Sequence, residues 1–244
     1  QAAEIGADCI QFFLGDPQGW KGPEFPHPDG AEGLKAAAEA AGVRIYIHAP
    51  YVINVATSNN RIRIPSRKIL QQQVSAAASI GAAGVIVHGG HVTKDDDPEI
   101  GYDNWRKTFE RMDLECPVFI ENTAGGNNSM ARRLESIARL RDALDGFEAG
   151  FCLDTCHAWA GGIEMPEAAE QIKAITGRID LVHANDSQGG FDSGRDRHAN
   201  FGDGTIAVDA LVECIRAADA SVICETPFPG IKVDIELLRE RIGP

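Results

Sequence analysis

Six of the seven strand-like stretches in this 244-residue chain stop on a side chain able to bind a metal: IYIH ends at His48, VIVH at His88, FIE at Glu121, CLD at Asp154, LVH at His183 and ICE at Glu225. A short apolar run that ends on such a residue, followed by a loop containing Gly, Pro or Asn and then a helical stretch, is the βα unit of an α/β barrel. Barrels of this kind carry their active sites at the C-terminal ends of the strands. Any one of these endings taken alone is better explained as an ordinary polar residue at a strand-to-loop junction. The set is not, because 7 His and 36 Asp and Glu in 244 residues leave most strand ends to other residue types. The pattern predicts a metal site ringed by parallel strands.

The length suits one (β/α)8 barrel of about 250 residues, so residues 1–244 are expected to form a single catalytic domain. Helical stretches are expected near 30–41, 66–80, 101–113, 129–144, 166–176, 207–217 and 231–241, alternating with the strands. The segment from Glu4 to Gly15 reads as the end of a helix followed by a strand. Gly6 and Gly81 each lead such a helix exit, a faint echo of repeated units. With seven strands visible, the first strand of the barrel is expected to be missing from this chain. No apolar run approaches the roughly 18 residues of a membrane span, and no signal-peptide pattern opens the chain. A cytoplasmic protein with no membrane partner follows as the expectation. Cys9, Cys116, Cys152, Cys156, Cys214 and Cys224 have no paired C-x-x-C spacing and read as reduced core residues.

The formal charge of −13 argues against nonspecific attraction to nucleic acid. Divalent cations bound by carboxylates would cancel part of it. A local basic strip containing Arg61, Arg63, Arg67 and Lys68, read as one loop and a helix start, would serve DNA; a solvated helix N-terminus explains the same segment as well.

The loops add ligands. Asp154 is followed three residues later by His157, and Asp196 and His198 lie two apart, on one side of an extended backbone. With the strand ends this gives nine candidates: His48, His88, Glu121, Asp154, His157, His183, Asp196, His198 and Glu225. A catalytic zinc takes three or four protein ligands, so nine imply two or three metals. Grouped metals are a device for phosphoester hydrolysis. No phosphate-binding glycine loop, dinucleotide fingerprint or nucleophile elbow competes with that reading.

The segments HAPYVIN (48–54), VHGGH (87–91), IENTAG (120–125), CLDTCH (152–157), HANDS (183–187) and DRH (196–198) together resemble the successive motifs of endonuclease IV, the zinc-dependent apurinic/apyrimidinic endonuclease family. The resemblance spans essentially the whole chain in order. It implies a xylose-isomerase-like TIM barrel with three Zn2+ ions, manganese being an admissible occupant of one site. On that resemblance His48 and His88 bind one zinc together with Glu121, the catalytic carboxylate, which bridges to a second. Asp154, His183 and Glu225 complete the second site, and His157, Asp196 and His198 hold the third. The implied activity is DNA repair: cleavage 5′ to an abasic site in double-stranded DNA, leaving a 3′-hydroxyl and a 5′-deoxyribose phosphate. Tyr51 and Val52 stand where the family inserts a side chain into the DNA gap, and Tyr51 alone reads equally well as a barrel-rim packing residue. Asn54 is expected to brace that loop, and Gln18, Trp20, Arg61 and Arg63 are further expected DNA contacts. Gln18 replaces a family Arg and Gln188 a family Lys, so DNA affinity is expected to differ while the metal ligands are intact. His27 is expected to be an exposed bystander, and His91 a hydrogen-bond neighbour of the site rather than a ligand. A monomer is expected. The alternative is a metal-dependent sugar isomerase or epimerase of the xylose-isomerase-like group, which would leave His157, Asp196 and His198 without a task.

Overall fold

The computed structural model describes residues 5–243, so Glu4 and the start of the expected first helix lie outside the described residues. Two compact units emerge, one made of Gln1–Ile120 with Ala143–Ala149, the other of Glu121–Asp142 with Gly150–Pro244.

In the first unit β1 (Cys9–Phe12), β2 (Arg44–His48) and β3 (Gly84–His88) are joined by α1 (Gly30–Ala41) and α2 (Asn60–Ser79). The strands are parallel, with Phe12 beside Ile47 and His48 beside Ile86. β4 (Val118–Glu121) follows α3 (Pro98–Phe109), and the Pro117 carbonyl accepts from Val85 N–H at 2.8 Å. Parallel strands are sandwiched between helices and bury both faces, which is why β2 and β3 read as continuous apolar runs rather than alternating ones. The glycine-led helix exits are alike in conformation as well as in sequence: Gly6 has φ 69° and Gly81 φ 67°, a left-handed turn that L side chains resist.

The second unit holds α4 (Leu134–Ala143), β5 (Ala149–Asp154), α5 (Thr155–Gly161), α6 (Ala168–Thr176), β6 (Leu181–Ala184), α7 (Val208–Ala218), β9 (Ser221–Cys224) and α8 (Ile231–Ile242). A short antiparallel ribbon, β7 (Asp186–Ser187) against β8 (His198–Ala199), branches from the top of β6. The strands are parallel, with Asp154 beside His183 and His183 beside Ile223.

Three local features depart from the expectations. Helix α2 begins at Asn60, not near residue 66, because the Asn59 side chain accepts from Arg61 N–H at 3.0 Å and the helix carries Pro65 inside it at the loss of one backbone donor. The basic strip is therefore helical throughout rather than a loop and a helix start. Helix α5 and the β7–β8 ribbon are elements that the sequence pattern does not announce; at seven and two residues they are too short for periodicity to register. His27 is half-buried rather than fully exposed, its Nδ1 accepting from Asp29 N–H in the turn before α1.

All six cysteines are free, and burial pushes the Cys152 and Cys214 thiols up to about 12. Among the described residues no helix is long and apolar enough to cross a membrane.

Trp105 of α3 is fully buried and its indole N–H donates to the Gly89 carbonyl at 2.7 Å, tying the loop after His88 to the helix layer. Replacing Trp105 with Phe keeps an aromatic body but leaves that carbonyl unsatisfied, and is expected to cost about 1–3 kcal/mol. Urea unfolding checks it; an unchanged midpoint and slope would show that the indole bond contributes nothing.

Candidate metal centre

Asp154 ends β5 and also caps α5: its Oδ1 accepts from His157 N–H at 2.6 Å. The DTCH run thus works as an N-cap with the histidine at the third helical position, which turns both side chains inward. His157 is 4% exposed and Asp154 fully buried. His157 Nδ1 lies 3.0 Å from the Asn122 carbonyl, and donation there orients Nε2 toward Asp196 Oδ2 at 3.2 Å. A backbone acceptor on one ring nitrogen is how proteins fix the other as a metal ligand.

His198, brought over by the ribbon, points its Nε2 to within 3.3 Å of Asp196 Oδ1 and 3.5 Å of Asp154 Oδ2, yet that nitrogen makes no hydrogen bond. A buried nitrogen that converges on two carboxylates without bonding either fits a position meant for a cation. His183, on β6, sets Nδ1 3.2 Å from Glu121 Oε1 and 3.3 Å from Glu225 Oε2. Glu121 Oε1 is also 3.1 Å from His157 Nδ1. Donor atoms of Glu121, Asp154 and His183 lie within 4.8 Å of one another, as do those of His157, Asp196 and His198. Imidazole and carboxylate at such distances are a zinc donor set, so the residues fit the metal that the motifs imply.

The carboxylates of the cluster favour the protonated form of its buried histidines. Burial works against protonating His157, but Asp154, Asp196 and Glu121 outweigh it and hold its pKa well above the usual histidine value. Burial likewise opposes charge on His183, yet its pKa is also raised well above the usual value, by the Cys152 sulfur and the carboxylates of Glu225 and Glu121. Cys152 stays a thiol below about pH 12, so the carboxylates are the source of that field at working pH.

Three polar residues of the quoted motifs prove to be supports whose roles the sequence does not reveal. Asn122 pairs its amide with the Asp154 backbone in both directions, Nδ2 to O at 2.9 Å and Oδ1 from N–H at 2.8 Å. Asn185 donates to Asp154 Oδ2 at 2.8 Å and accepts from Glu225 N–H at 3.0 Å. Asp186, fully buried, accepts from the backbone N–H groups of Ser187, Gly202, Gly204 and Ile206. A Cβ at Gly204 would sit 2.4 Å from Asp186 Oδ1, so only glycine fits there. The available signal was an amide or acid within three residues of the strand ends at Glu121 and His183.

The loop carrying Asp196 is pinned from outside. Arg132 and Arg133 both donate to Asp192 Oδ1, at 2.9 and 2.7 Å, while Asp192 sits at φ 57° and its N–H bonds the Trp159 carbonyl. Gln188 is occupied in the same region, its side chain donating to the His198 carbonyl at 3.2 Å.

In the first unit, His48 and His88 end adjacent strands with ring centroids 5.1 Å apart, and His48 Nδ1 lies 2.7 Å from the Ala49 carbonyl; donation there leaves Nε2 as the ring nitrogen able to accept a cation. Tyr51 is 52% exposed and stacks on His88 at 5.7 Å and 21°. Asn54 braces its loop as expected: Oδ1 accepts from Ala56 and Thr57 N–H and Nδ2 donates to the His91 carbonyl at 2.9 Å. His91 is exposed and serves that brace through its backbone. Val52 is half-buried, and Gln18 is exposed on the β1–α1 loop. Arg63, expected to face DNA, is instead turned inward, its guanidinium bonding Asn104 and Asn60 to fasten the start of α2.

Residues 1–241 match the family described as the xylose isomerase-like TIM barrel. A relative called "Probable endonuclease 4" from Mycobacterium bovis (strain BCG / Pasteur 1173P2) is 58% identical over 243 residues, which are 99% of this chain and 94% of that protein. The protein of the same name from Mycobacterium leprae (strain Br4923) is 55% identical, over 98% of this chain and 93% of that one. The crystal structure of endonuclease IV from Thermus thermophilus superposes with a TM-score of 0.82 at 26% identity, covering 98% of this chain and 90% of that one. A D-tagatose 3-epimerase-like protein superposes at 0.79 with 22% identity over 98% and 90%, a likeness of fold alone.

Protonation of His157 and His183 favours the metal-free fold, because both folded-state values lie above the unfolded value of about 6.5. That contribution is fully present below about pH 6.5 and fades as pH climbs through the raised values. A divalent metal needs the same rings neutral. Chelator-treated protein is therefore expected to lose melting temperature as pH rises from about 6 to about 9, while zinc affinity increases over the same interval. Melting curves and zinc titrations across that range test both trends, and zinc affinity that falls with pH would refute the assignment.

Proposed function

This chain belongs to the endonuclease IV family of xylose isomerase-like TIM barrels, and from that premise we propose that it is a zinc-dependent DNA-repair enzyme. It hydrolyses the phosphodiester bond 5′ to an abasic site in double-stranded DNA, leaving a 3′-hydroxyl and a 5′-deoxyribose phosphate. The observation that carries the reading is the convergence of His157, Asp196 and His198, a third group of donors beyond what a sugar isomerase requires.

In this reading His48, His88 and Glu121 would hold one zinc, Asp154, His183 and Glu225 together with Glu121 a second, and His157, Asp196 and His198 a third, with manganese admissible at one of them. Bound zinc supplies a water that ionises near neutral pH and a clamp for the attacked phosphate and the leaving oxygen. The remaining work falls to the chain. Asn185 holds Asp154 and the Glu225 backbone in register, and Asn122 fixes both the His157 tautomer and the end of β5. Burial of Glu121 and Asp154 keeps bulk water away from the reacting phosphate.

Lesion recognition uses the missing base. An abasic nucleotide lacks most of the stacking and pairing that resist extrusion, so flipping it out is cheaper than at an intact site. Tyr51 and Val52, on the loop that Asn54 braces, fill the gap left in the duplex. Gln18 offers an uncharged wedge from the β1–α1 loop. The protein acts as a single catalytic domain, as a monomer and in the cytoplasm.

The test is cleavage of a duplex with one tetrahydrofuran abasic analogue, which cannot undergo β-elimination. A chelator-sensitive product ending in a 3′-hydroxyl is expected. Glu121→Gln is expected to lower the single-turnover rate by more than about a hundredfold, beyond the effect typical of residues that merely orient ligands, with little change in DNA affinity. Unaltered cleavage by that variant would remove Glu121 from the metal bridge. A folded, zinc-loaded protein that leaves the duplex intact and epimerises a ketose would establish the sugar-isomerase alternative.

A further inference from the structure

Helix α2 is chemically unlike the rest of the chain. Its twenty residues include Arg61, Arg63, Arg67 and Lys68 and no Asp or Glu, in a protein with 36 acidic and 23 basic side chains. Arg63 is spent on Asn104 and Asn60, and Asn104 in turn donates to the Ala56 and Thr57 carbonyls, so that cation fastens the loop before α2. Arg61 and Lys68 have a different setting. Spaced along one helical face with Ile64 and Gln72, they line a cavity of about 680 Å³ whose far wall is Trp20. Trp20 is 47% exposed and Ile64 53% exposed, while Ile69 at its floor is buried. No carboxylate is among the lining residues. The segment that carries Trp20 is tied to the loop that carries Tyr51, because Tyr51 N–H donates to the Pro17 carbonyl at 2.8 Å.

We propose that this groove is a nucleotide subsite for the DNA strand flanking the lesion, in which Trp20 stacks on a base or sugar face and Arg61 and Lys68 hold the adjoining phosphate. The inference rests on the reading that the substrate is DNA. Two cations on one helical face beside an aromatic ring, with the buried Ile69 among the lining residues, match the alternation of flat ring and phosphate along a nucleic acid strand. A free phosphate would use the cations alone and gain nothing from Trp20 or Ile64. An acidic peptide would also satisfy the charges, and the experiment is arranged to separate it.

Binding is measured by fluorescence anisotropy on the full zinc-loaded chain, using a labelled lesion-free duplex and, in a Glu121→Gln background, the tetrahydrofuran duplex, each over a range of salt. Arg61→Ala with Lys68→Ala is expected to weaken both and to reduce the slope of log affinity against log salt by about 2, one for each phosphate-binding cation removed. Trp20→Ala is expected to weaken binding about tenfold with the slope unchanged, since stacking releases no counterions. Zinc content and melting temperature equal to the parent's confirm that each variant is folded. Unchanged affinity and slope in the double variant would overturn the subsite, and so would tighter capture of a poly-glutamate peptide than of duplex at the same salt, which would reassign the groove to an acidic protein partner. Failure of the parent protein to cleave the tetrahydrofuran duplex would sink the functional reading instead, and the salt slopes on lesion-free duplex would still report on the groove.

Discussion

Everything in the second unit is arranged around a concentration of buried negative charge. Glu121 and Asp154 are almost wholly out of water, and apart from the Asn185 amide, which donates to Asp154, imidazoles are the side chains that approach them. An isolated carboxylate in such a place costs several kcal/mol, and a histidine repays it only by taking a proton that it would give up near neutral pH in water. The raised pKa values of His157 and His183 are the protein-only answer to that field, and a divalent cation is the answer that satisfies every donor at once. The fold tolerates the cluster because Glu121, Asp154 and His183 sit on parallel strand ends, whose backbone polar groups are already paired below.

Rigidity is what makes such a cluster specific, and it comes from neutral groups. Asn122, just past β4, pairs with the Asp154 main chain at the end of β5, and Asn185, just past β6, bonds the Asp154 carboxylate and the Glu225 N–H beyond β9, so these strand ends are held by amides as well as by the ladder. Asp186 extends this to the loop beyond: four backbone donors converge on its carboxylate, and that convergence leaves no room for a Cβ at Gly204. The salt bridges of Arg132 and Arg133 to Asp192 are more exposed and individually weak, but they act on a loop already pinned by main-chain bonds, where a small bias toward one geometry suffices.

Much of this is legible in the sequence, and the reasons differ by element. The strands and the long helices announce themselves because an apolar run ending in His, Asp or Glu is rare and helical periodicity accumulates over three or more turns. The nine donors follow from the same endings and the loops beside them. What escapes is short or cooperative. Helix α5 is written in a single capping Asp, and the β7–β8 ribbon in two residues on each side, below the length at which a pattern exists. The start of α2 lies earlier than the expected residue 66 because the Asn59 side chain caps a helix that begins at Asn60, and Pro65 is carried inside it. Arg63 looks like its neighbours Arg61 and Lys68, and only the position of Asn104, forty-one residues away in sequence, decides that it faces inward. Asn122 and Asn185 are visible as motif letters, but their partners are backbone atoms of other strands, which no local pattern encodes.

The remaining puzzle is how a chain of formal charge −13 is suited to a polyanion. Net charge counts carboxylates wherever they are, and a share of these is committed to a buried site where bound metal would neutralise it. What a DNA strand meets is the local field, which over distances beyond about 8–10 Å is screened at physiological salt. A helix that concentrates its cations and excludes every acid can therefore be attractive within that radius while the whole molecule remains acidic. The cost is a slower, less steered approach from bulk solution, and the gain is weaker adhesion to undamaged duplex, since a protein with few phosphate contacts is released by modest salt. Under the proposed function, in which many intact nucleotides are sampled for each lesion, weak binding off target is an advantage, because discrimination would then rest on the geometry of the flipped nucleotide and on the metal site rather than on charge.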